Sequence, residues 1–290
     1  MDVLNYCRQV TKASRSNFYY SFLFLPKRQR EAIYSVYAFC RSIDDVVDRN
    51  TSIPKAMEEL KHWREQIISC FEGHTDHPIL RPLAVTIREF HLPREYFEEL
   101  INGVEMDLHQ MRYDTFEGLR TYCYRVASVV GLICIEIFGC TQKDIREHAI
   151  HQGIAFQLTN ILRDIKSDAE RGRIYLPQED LKRFGYSEQE LLASTYNPAF
   201  VELMRFEAQR ARDYYQKAKE LLDGKDRPLM VASEIMGGIY YRILREIERS
   251  GYNVFERKIS LPTHTKLTIA LRIWLSNRLS KWLPLSTARV

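Results

Sequence analysis

The chain has 290 residues, with 42 basic and 38 acidic side chains and a formal net charge of +4. So small an excess of positive charge argues against a dedicated nucleic-acid-binding protein, which normally carries a dense basic stripe. Only 12 glycines and 10 prolines are present, and such sparse punctuation favours long helices over many short strands. No Pro-, Gly- or Ser-rich linker interrupts the chain, so we expect one domain over residues 1–290.

The cysteines and the N-terminus indicate the expected compartment. The six cysteines include no C-x-x-C pair, and buried free thiols in a reducing cytosol are their expected state. The N-terminal segment MDVLNYCRQV lacks the basic and apolar regions of a signal peptide. With no run of about 18 apolar residues, we expect no membrane-spanning segment and a cytoplasmic location.

Apolar residues recur at helical spacings of three and four through most of the chain. In chain order, this pattern predicts helices over REAIYSVYAFCRSIDDVVD, HLPREYFEELINGVEMDLHQM, YCYRVASVVGLICIEIFG, IREHAIHQGIAFQLTNILRDIKSDAE and AFVELMRFEAQRARDYYQKAKELL. Pro93 stands near the first turn of the second helix, and Ser187 with Glu190 forms a capping-box pattern before a short helix. Because strand alternation is almost absent, we expect a compact all-α fold.

The third of these helices carries an apolar stripe. Its members stand at offsets of four, three and four, and they are Tyr122, Val126, Val129 and Ile133. Ordinary core packing explains such a stripe, and so does the wall of an apolar cavity, with small residues making room. The two interpretations are compatible, because a cavity wall is core on its other side.

Two pairs of aspartates interrupt otherwise apolar helices. Asp44 and Asp48 stand four residues apart, and so do Asp164 and Asp168. At about 100° per residue, positions i and i+4 lie on one helix face. A single pair of this kind is most often a solvated face, but two pairs of the same form indicate a shared site.

The neighbours of the aspartates favour a ligand site. Gln157 and Asn160 continue the stripe of Asp164, and a polar line between apolar flanks must face a cavity or a charged ligand. Arg41 shares the face of Asp44, Arg163 adjoins Asp164, and Arg173 follows in the segment RGRIYLP. Mg²⁺ bridges carboxylates to substrate phosphates, and arginine binds phosphate oxygens in pairs. The pattern therefore favours a magnesium-dependent diphosphate site.

Other site chemistries find less support. A di-iron carboxylate bundle requires a Glu-x-x-His motif on two helices, whereas only Glu59 and His62 fit, away from the aspartates. Neither a P-loop nor a dinucleotide-binding glycine motif occurs. No Ser or Cys stands in an elbow-like context, although composition does not exclude a nucleophilic triad.

The C-terminal tail, about residues 263–290, is basic and apolar. After Glu256 the chain has no acidic residue, but it has seven Lys or Arg together with Trp274 and Trp282. Such an amphipathic segment can lie on an anionic membrane surface. A last helix that packs on the body and keeps its basic face in water explains the composition equally well, so both interpretations remain open.

Three segments, YAFCRSIDDVVD, YCYRVASVVG and QLTNILRDIKSDAERGRIYLP, resemble the signature segments of the squalene/phytoene synthase family. The resemblance runs from about Ser14 to about Lys266. It implies the all-α isoprenoid synthase fold, with helices around a central apolar cavity. The segments SNFYYSFLFLP and GGIYYRILREIERSGYNVFERKISL are similar to bacterial presqualene diphosphate synthases of hopanoid pathways.

The resemblance also implies roles for individual residues. It makes Asp44, Asp48, Asp164 and Asp168 catalytic and, with Asn160, ligands of about three Mg²⁺ ions. It places Tyr175 near the reacting carbons. The expected substrate-binding residues are Ser14, Ser16, Tyr37, Arg41, Tyr122, Val126, Gly131, Gln157, Asn160, Arg163, Tyr240, Arg257 and Lys266.

The implied reaction joins two isoprenoid diphosphates, with farnesyl diphosphate as the expected substrate and presqualene diphosphate as the product. Tyr175 or the released diphosphate is the expected base, and NADPH is not expected. Three alternatives stay open: a squalene synthase that uses NADPH, a phytoene synthase that uses geranylgeranyl diphosphate, and a non-catalytic assembly factor. Peripheral contact with the inner face of a membrane and the oligomeric state are also open.

Overall fold

The computed structural model describes residues 3–13, 17–50, 52–222 and 225–282, except the side chains of 3–5 and 280–282. Within these ranges the chain forms 14 α-helices, one π-helical turn and no β-strand, as the all-α prediction requires. The helices are α1 (Val3–Ala13), α2 (Asn17–Phe22), α3 (Lys27–Arg49), α4 (Ile53–Phe71), α5 (Leu80–Phe90), α6 (Arg94–His109), α7 (Phe116–Cys123), α8 (Val129–Phe138), α9 (Ile145–Glu170), α10 (Gln178–Arg183), α11 (Glu188–Leu192), α12 (Pro198–Leu221), α13 (Val231–Arg249) and α14 (Thr263–Trp282).

Local capping signals set several helix ends where the sequence predicts them. Pro93 is the residue that precedes α6. Ser187 and Glu190 form both hydrogen bonds of a capping box at the start of α11. Gly139 ends α8 with φ of +75°, a left-handed conformation that glycine adopts at little cost. The predicted boundaries are therefore confirmed at these positions.

The predicted helix over residues 122–139 differs in one respect. Its middle, Tyr124–Ser128, is a π-helical turn between α7 and α8. Ser128 donates a hydrogen bond from Oγ to the carbonyl oxygen of Ile150 on α9, at 2.8 Å. A π turn adds one residue to a helical turn and so rotates all later side chains about the axis. Periodicity read from sequence assumes an unbroken α-helix and does not register this shift.

Helix α9 lies at the centre of the fold. It packs against α8, the π-helical turn, α12 and α13, whereas α3 packs against α1, α4, α5, α6 and α8. One apolar core surrounds α3 and α8, and a second surrounds α9, α12 and α13. The polar faces of α3 and α9 are left free of both cores, and they border the site described below.

The stretch Phe116–Phe138 is long and apolar enough to cross a membrane, contrary to our expectation from the sequence. Half of its most apolar window is buried inside the protein. Arg125, within this stretch, forms an ion pair with Glu99 of α6 at 2.9 Å. These contacts are those of a helix in the interior of a helical protein.

All six cysteines are free. Cys7, Cys70 and Cys123 are buried, and burial raises the pKa of Cys7 and of Cys70 to about 11. Because the thiolate is the reactive form, these side chains behave as small apolar residues.

The close approach of α9 to the π-helical turn depends on Gly153. A Cβ added there would lie 2.4 Å from the Cα atom of Ser128 and 2.6 Å from its nitrogen, both backbone atoms that cannot move aside. We expect Gly153→Ala to lower the free energy of unfolding by about 2–4 kcal/mol, in the range of severe overpacking. Urea denaturation followed by circular dichroism measures this change.

Gly118→Ala in α7 is the matched control. A Cβ at Gly118 meets nothing closer than 3.8 Å, so the alanine should leave stability unchanged or raise it by up to about 1 kcal/mol through helix propensity. Equal stability of the two variants would contradict the close contact at Gly153.

Candidate active site

A polar chamber of about 320 Å³ lies between α3, α6, α9 and the loop that follows α9. Both predicted aspartate pairs border it, so two helices far apart in sequence present their carboxylates to one space. Its lining consists of Arg41, Asp44, Val47, Asp48, Val104, Asp107, Tyr122, Val126, Gln157, Asn160, Ile161, Arg163, Asp164, Asp168, Arg171, Arg173 and Tyr175.

On α3, arginines neutralise part of the acidic charge. Asp48 accepts from Arg171 at 3.4 Å and lies 3.7 Å from Arg173, and both arginines belong to the loop after α9. Arg41 pairs with Asp45 one turn along α3, at 2.6 Å. Arg41 nevertheless lines the chamber. The loop arginines therefore connect the α9 end of the site to the α3 aspartates.

On α9, Asp164 has two basic partners. Arg163 binds both of its carboxylate oxygens, with the Nε–Oδ1 bond at 3.0 Å. Lys258, from the loop between α13 and α14, lies 3.7 Å from Oδ1. A bidentate pair of this kind holds the planar guanidinium in a fixed orientation at the edge of the chamber.

The chamber raises the pKa of two of the aspartates. Burial by the chamber walls is the main cause for Asp44, whose pKa rises to about 7, with Asp107 and Asp48 adding repulsion. The Asp44 side chain faces the chamber, which is partly open to solvent, so protein atoms crowd the carboxyl group although water can reach it. The pKa of Asp168 also rises to about 7, through burial and then the charge of Asp164. Ionisation of either aspartate is therefore unfavourable in the empty chamber, and a nearby cation would stabilise the ionised forms.

A third acidic group, Asp107 of α6, lies in the same chamber. Its carboxylate accepts a hydrogen bond from Tyr175 Oη at 2.7 Å and another from Tyr122 Oη at 3.0 Å. The two tyrosine rings stack with centroids 5.1 Å apart. Burial and the nearby Asp107 charge raise the pKa of both tyrosines, so each stays protonated and serves as a donor.

A short backbone contact positions the loop that carries Arg173 and Tyr175. Ile174, between them, donates from its backbone nitrogen to the carbonyl of Met111 at 3.0 Å, as part of a β-bridge with Arg112. In extended backbone, successive side chains point to opposite faces, so Arg173 and Tyr175, on either side of Ile174, share one face. Both residues line the chamber.

Asn160 and Gln157 form the inner end of the polar chamber. Asn160 donates to Gln157 Oε1 at 3.3 Å, while its own Oδ1 is buried without a hydrogen-bond partner. Tyr240 of α13 is buried beside them, and its ring stacks on that of Phe156 with centroids 4.8 Å apart. An unsatisfied buried oxygen costs free energy and indicates a missing donor or cation.

A second, apolar chamber of about 240 Å³ continues from the first. Asp44, Val126, Gln157 and Asn160 border both spaces. The remaining lining is Phe18, Ser21, Phe22, Ala127, Val130, Gly131, Cys134, Phe138, Ala149, Gln152, Gly153, Phe156, Met230, Ala232, Ser233 and Met236. Its Ser233 donates to Gln152 and its Ser21 to a backbone carbonyl, so these polar groups are satisfied within the wall.

The π-helical turn changes which residues form this wall. Val126 and Gly131 line it as expected. Val129 and Ile133, the later members of the stripe, are fully buried in the core, as the core-packing interpretation of the stripe requires. The added residue of the π turn brings Val130 and Cys134 to the chamber instead.

The other predicted residues are more scattered. Tyr37, half-buried on α3, packs against Phe18, 6.1 Å between ring centroids. Lys266, on α14, lies over the Tyr20 ring at 5.2 Å, and burial lowers its pKa. Arg257 is exposed and lines neither chamber, whereas the adjacent Lys258 contacts Asp164. Ser14 and Ser16 lie outside the described residues.

The sequence analysis missed three charged residues of the site, which are Asp107, Arg171 and Lys258. A signal existed for Asp107, since it follows Val104 by three on the predicted buried side of α6. No such signal existed for the two basic residues, because loop conformation brings them to the aspartates.

The site fits Mg²⁺ by its donor chemistry. Four carboxylates and the unsatisfied Asn160 oxygen supply the hard oxygens that this ion prefers. Among the described residues, no three Asp, Glu, His or Cys side chains converge on one point.

The fold and the two-part cavity define a class of protein: an all-α enzyme for an amphiphilic ligand with an anionic head and an apolar tail. Comparison with known proteins makes this specific. The sequence profile of the squalene/phytoene synthase family matches residues 11–265. The chain belongs to the squalene/phytoene synthase family, which carries out head-to-head condensation of prenyl groups.

Three individual proteins illustrate the similarity. The chain is 40% identical over 281 residues to a phytoene synthase of Arthrospira platensis, covering 92% of this chain and 90% of that one. It is 36% identical over 258 residues to a presqualene diphosphate synthase of Rhodopseudomonas palustris, covering 89% and 92%. A crystal structure of a dehydrosqualene synthase with ligand superposes with a TM-score of 0.85 at 30% identity, covering 96% and 97%.

The raised pKa values predict how stability depends on pH without metal. Between the ordinary aspartate pKa near 3.8 and the folded value of about 7, Asp44 and Asp168 bind more protons in the folded state. Stability should therefore fall as pH rises through this window and level off above it. Urea midpoints measured from pH 5 to pH 8.5 with a metal chelator test this.

Asp168→Asn removes one of these titrating groups. The variant should show a shallower decline and a higher urea midpoint than the unmodified protein at pH 8, where it lacks one buried charge. Parallel pH profiles of the two proteins would show that Asp168 titrates as an ordinary carboxylate.

Proposed function

We propose that this protein catalyses the magnesium-dependent, head-to-head condensation of two farnesyl diphosphates to presqualene diphosphate. The observation that carries the proposal is the continuity of the acidic chamber with an apolar one, across Asp44, Val126, Gln157 and Asn160. A diphosphate head and an isoprenoid tail require this sequence of environments. The relationship to the presqualene diphosphate synthase of Rhodopseudomonas palustris supports the choice of product.

The basic residues orient the diphosphates. Arg41, Arg163, Arg171 and Arg173 border the chamber and supply donors to phosphate oxygens. When bound, about three Mg²⁺ ions, held by Asp44, Asp48, Asp164, Asp168 and Asn160, supply electrostatic stabilisation of the leaving diphosphate. The aspartates thus hold the head group at the mouth of the apolar chamber.

The apolar chamber protects the allylic cation that forms when the diphosphate of the first substrate departs. The double bond of the second substrate attacks carbon 1 of this cation, and loss of a proton closes the cyclopropane ring. Aromatic faces stabilise the positive charge by about 1–2 kcal/mol each when water is excluded. Phe156 and the stacked Tyr122–Tyr175 pair lie beside the path between the chambers.

We assign the proton acceptor to the released diphosphate. Tyr175 is a poor base, since burial and Asp107 raise its pKa and its proton is donated to Asp107. Tyr175 and Tyr122 then act as donors that position Asp107 and shape the chamber. No step of this reaction consumes a reductant, and NADPH is not part of the proposal.

Geranylgeranyl diphosphate as substrate, with phytoene as the final product, is the second candidate. The observation in its favour is that identity to the Arthrospira phytoene synthase is 40%, against 36% to the presqualene diphosphate synthase. The two candidates differ in tail length and in end point, because presqualene diphosphate retains one diphosphate whereas formation of phytoene also expels the second.

The decisive experiment is mass analysis of products after incubation with Mg²⁺ and either diphosphate, with and without NADPH. A thirty-carbon cyclopropyl diphosphate formed from farnesyl diphosphate without NADPH is the expected result. Squalene formed only with NADPH, or phytoene formed only from geranylgeranyl diphosphate, would establish the corresponding alternative. No product from either substrate would leave a non-catalytic role.

Asp164→Asn should lower kcat/KM at least about 100-fold, because it removes a charge that the metal and leaving group require. Asp213→Asn, an exposed change on α12, serves as the matched control and should retain activity within about twofold. Circular dichroism verifies that both variants keep their helices. Comparable activity in the two variants would remove Asp164 from the site.

The far end of the apolar chamber should set tail length. Phe138 is the last residue of α8 and lines the apolar chamber. It follows Tyr122, which lines the polar chamber, by sixteen residues, or roughly 24 Å along the helix axis. Phe138→Leu should increase the ratio of kcat/KM for geranylgeranyl over farnesyl diphosphate by about three- to tenfold, through added space.

Phe39→Leu provides the matched control for volume loss. Phe39 is fully buried, packs on Trp63 and Phe97, and lines neither chamber. Its substitution should leave the ratio unchanged. Equal shifts in both variants would assign the effect to general loosening of the core.

A further inference from the structure

Helix α14 is apolar on two opposite sides. On the inner side, Ile269 and Ile273 pack so closely on α13 that a Cβ at Gly238 would lie 2.9 and 2.8 Å from them. Asn277, buried on the same side, donates to Glu234 of α13. These contacts bind the helix to the body. Of the two interpretations of the tail, these contacts establish packing on the body. They do not test contact with a membrane, which concerns the outer side of the helix.

The outer side carries a row of leucines, which we call the leucine row. Its members, at intervals of four residues, are Leu267, Leu271, Leu275 and Leu279. These residues are 43%, 50%, 44% and 61% exposed, respectively. Each interval of four residues turns about 40°, so the row occupies about 120° of the helix circumference. Isolated exposed leucines are ordinary, but four in a row form a patch of the kind that contacts another apolar surface.

Basic residues flank the leucine row. Arg272 and Arg278 are exposed on the same half of the helix, and Arg278 lies 4.6 Å above the ring of Trp274. No acidic residue follows Glu256 in the sequence. An apolar strip with a Trp and cations beside it matches the boundary of an anionic bilayer, where leucines enter the acyl region and arginines meet lipid phosphates.

Self-association explains the row less well. A symmetric contact between two copies would bring the same arginines together, and α14 has no acidic residue with which to neutralise them. An anionic lipid surface supplies the missing charge.

The location of α14 indicates what membrane contact would do for the enzyme. This step of the inference rests on the proposed function. The helix packs on α2 and α13. Both helices line the apolar chamber, through Phe18 and Phe22 of α2 and Met236 of α13. A bilayer in contact with the leucine row would thus lie next to the chamber that receives isoprenoid tails.

We propose that the leucine row of α14 and its flanking arginines dock this protein on the surface of an anionic lipid bilayer. The test is co-sedimentation of the full chain with vesicles of phosphatidylcholine alone or mixed with phosphatidylglycerol, without substrate. We expect binding to the mixed vesicles only, and binding that weakens as salt rises from about 0.1 to 0.5 M, as ionic screening requires.

The paired change Leu271→Gln with Leu275→Gln should lower vesicle partitioning at least about tenfold, since both side chains are exposed and their loss does not disturb the core. Val85→Gln with Leu192→Gln, which are 53% and 48% exposed on α5 and α11, is the matched control and should change partitioning less than about twofold.

Three outcomes would overturn the proposal: no binding of the unmodified chain to either vesicle, equal binding by the α14 pair and its control, or a dimer in sedimentation analysis that the α14 pair dissociates. Because binding is measured without substrate, it does not depend on the condensation reaction. Conversely, the α14 pair should retain turnover of detergent-dispersed substrate, so failure of the proposed function is detected separately.

Discussion

The structure depends on the placement of five carboxylates around one enclosed space. Burial and mutual repulsion raise the pKa of Asp44 and Asp168 to about 7, and the pKa of Asp107 is also raised. Such an arrangement opposes folding, because charge is withdrawn from water without full compensation. The large apolar cores on both sides of the chamber offset this cost. Such a cluster of perturbed acids in a cavity is typical of a functional site, which agrees with the proposed binding of cations.

Helix α9 explains how one cavity serves two kinds of chemistry. Its chamber face changes in composition along the axis, from Asp168 and Asp164 through Asn160 and Gln157 to Gly153. Over about four helical turns, this face thus changes from charged side chains to neutral polar ones and then to a glycine without a side chain. The glycine serves a second purpose, because it admits the π-helical turn at close range. The same stretch therefore sets the polarity gradient and the packing that keeps the apolar wall in place.

The sequence was most informative where the site follows from the regular geometry of a single helix. To place the two aspartate pairs and the polar stripe through Asn160, one needs only the constant rotation per residue of an α-helix. All of these residues line the chamber. Spacing alone did not decide whether Val129 and Ile133 belong to the core or to the cavity wall, because it does not register the π turn that alters this rotation. Loop residues such as Lys258 were beyond reach for a different reason: their positions depend on long-range contacts with no periodic signal. The fold class was predictable because helical periodicity extends through most of the chain.

Some of the carboxylates that are expected to hold metal ions are already paired with arginines, and the arginines are themselves expected to bind phosphate. Arg163 occupies both oxygens of Asp164, and Arg171 and Arg173 approach Asp48, so the groups expected to hold metal already have partners. The proposed ligand, a diphosphate with magnesium ions, would bring both anionic and cationic partners. Each arginine could then exchange a carboxylate for a phosphate oxygen while the carboxylate takes a metal ion. These ion pairs thus offset part of the cost of the buried carboxylates before a ligand arrives, and the same groups would bind the ligand.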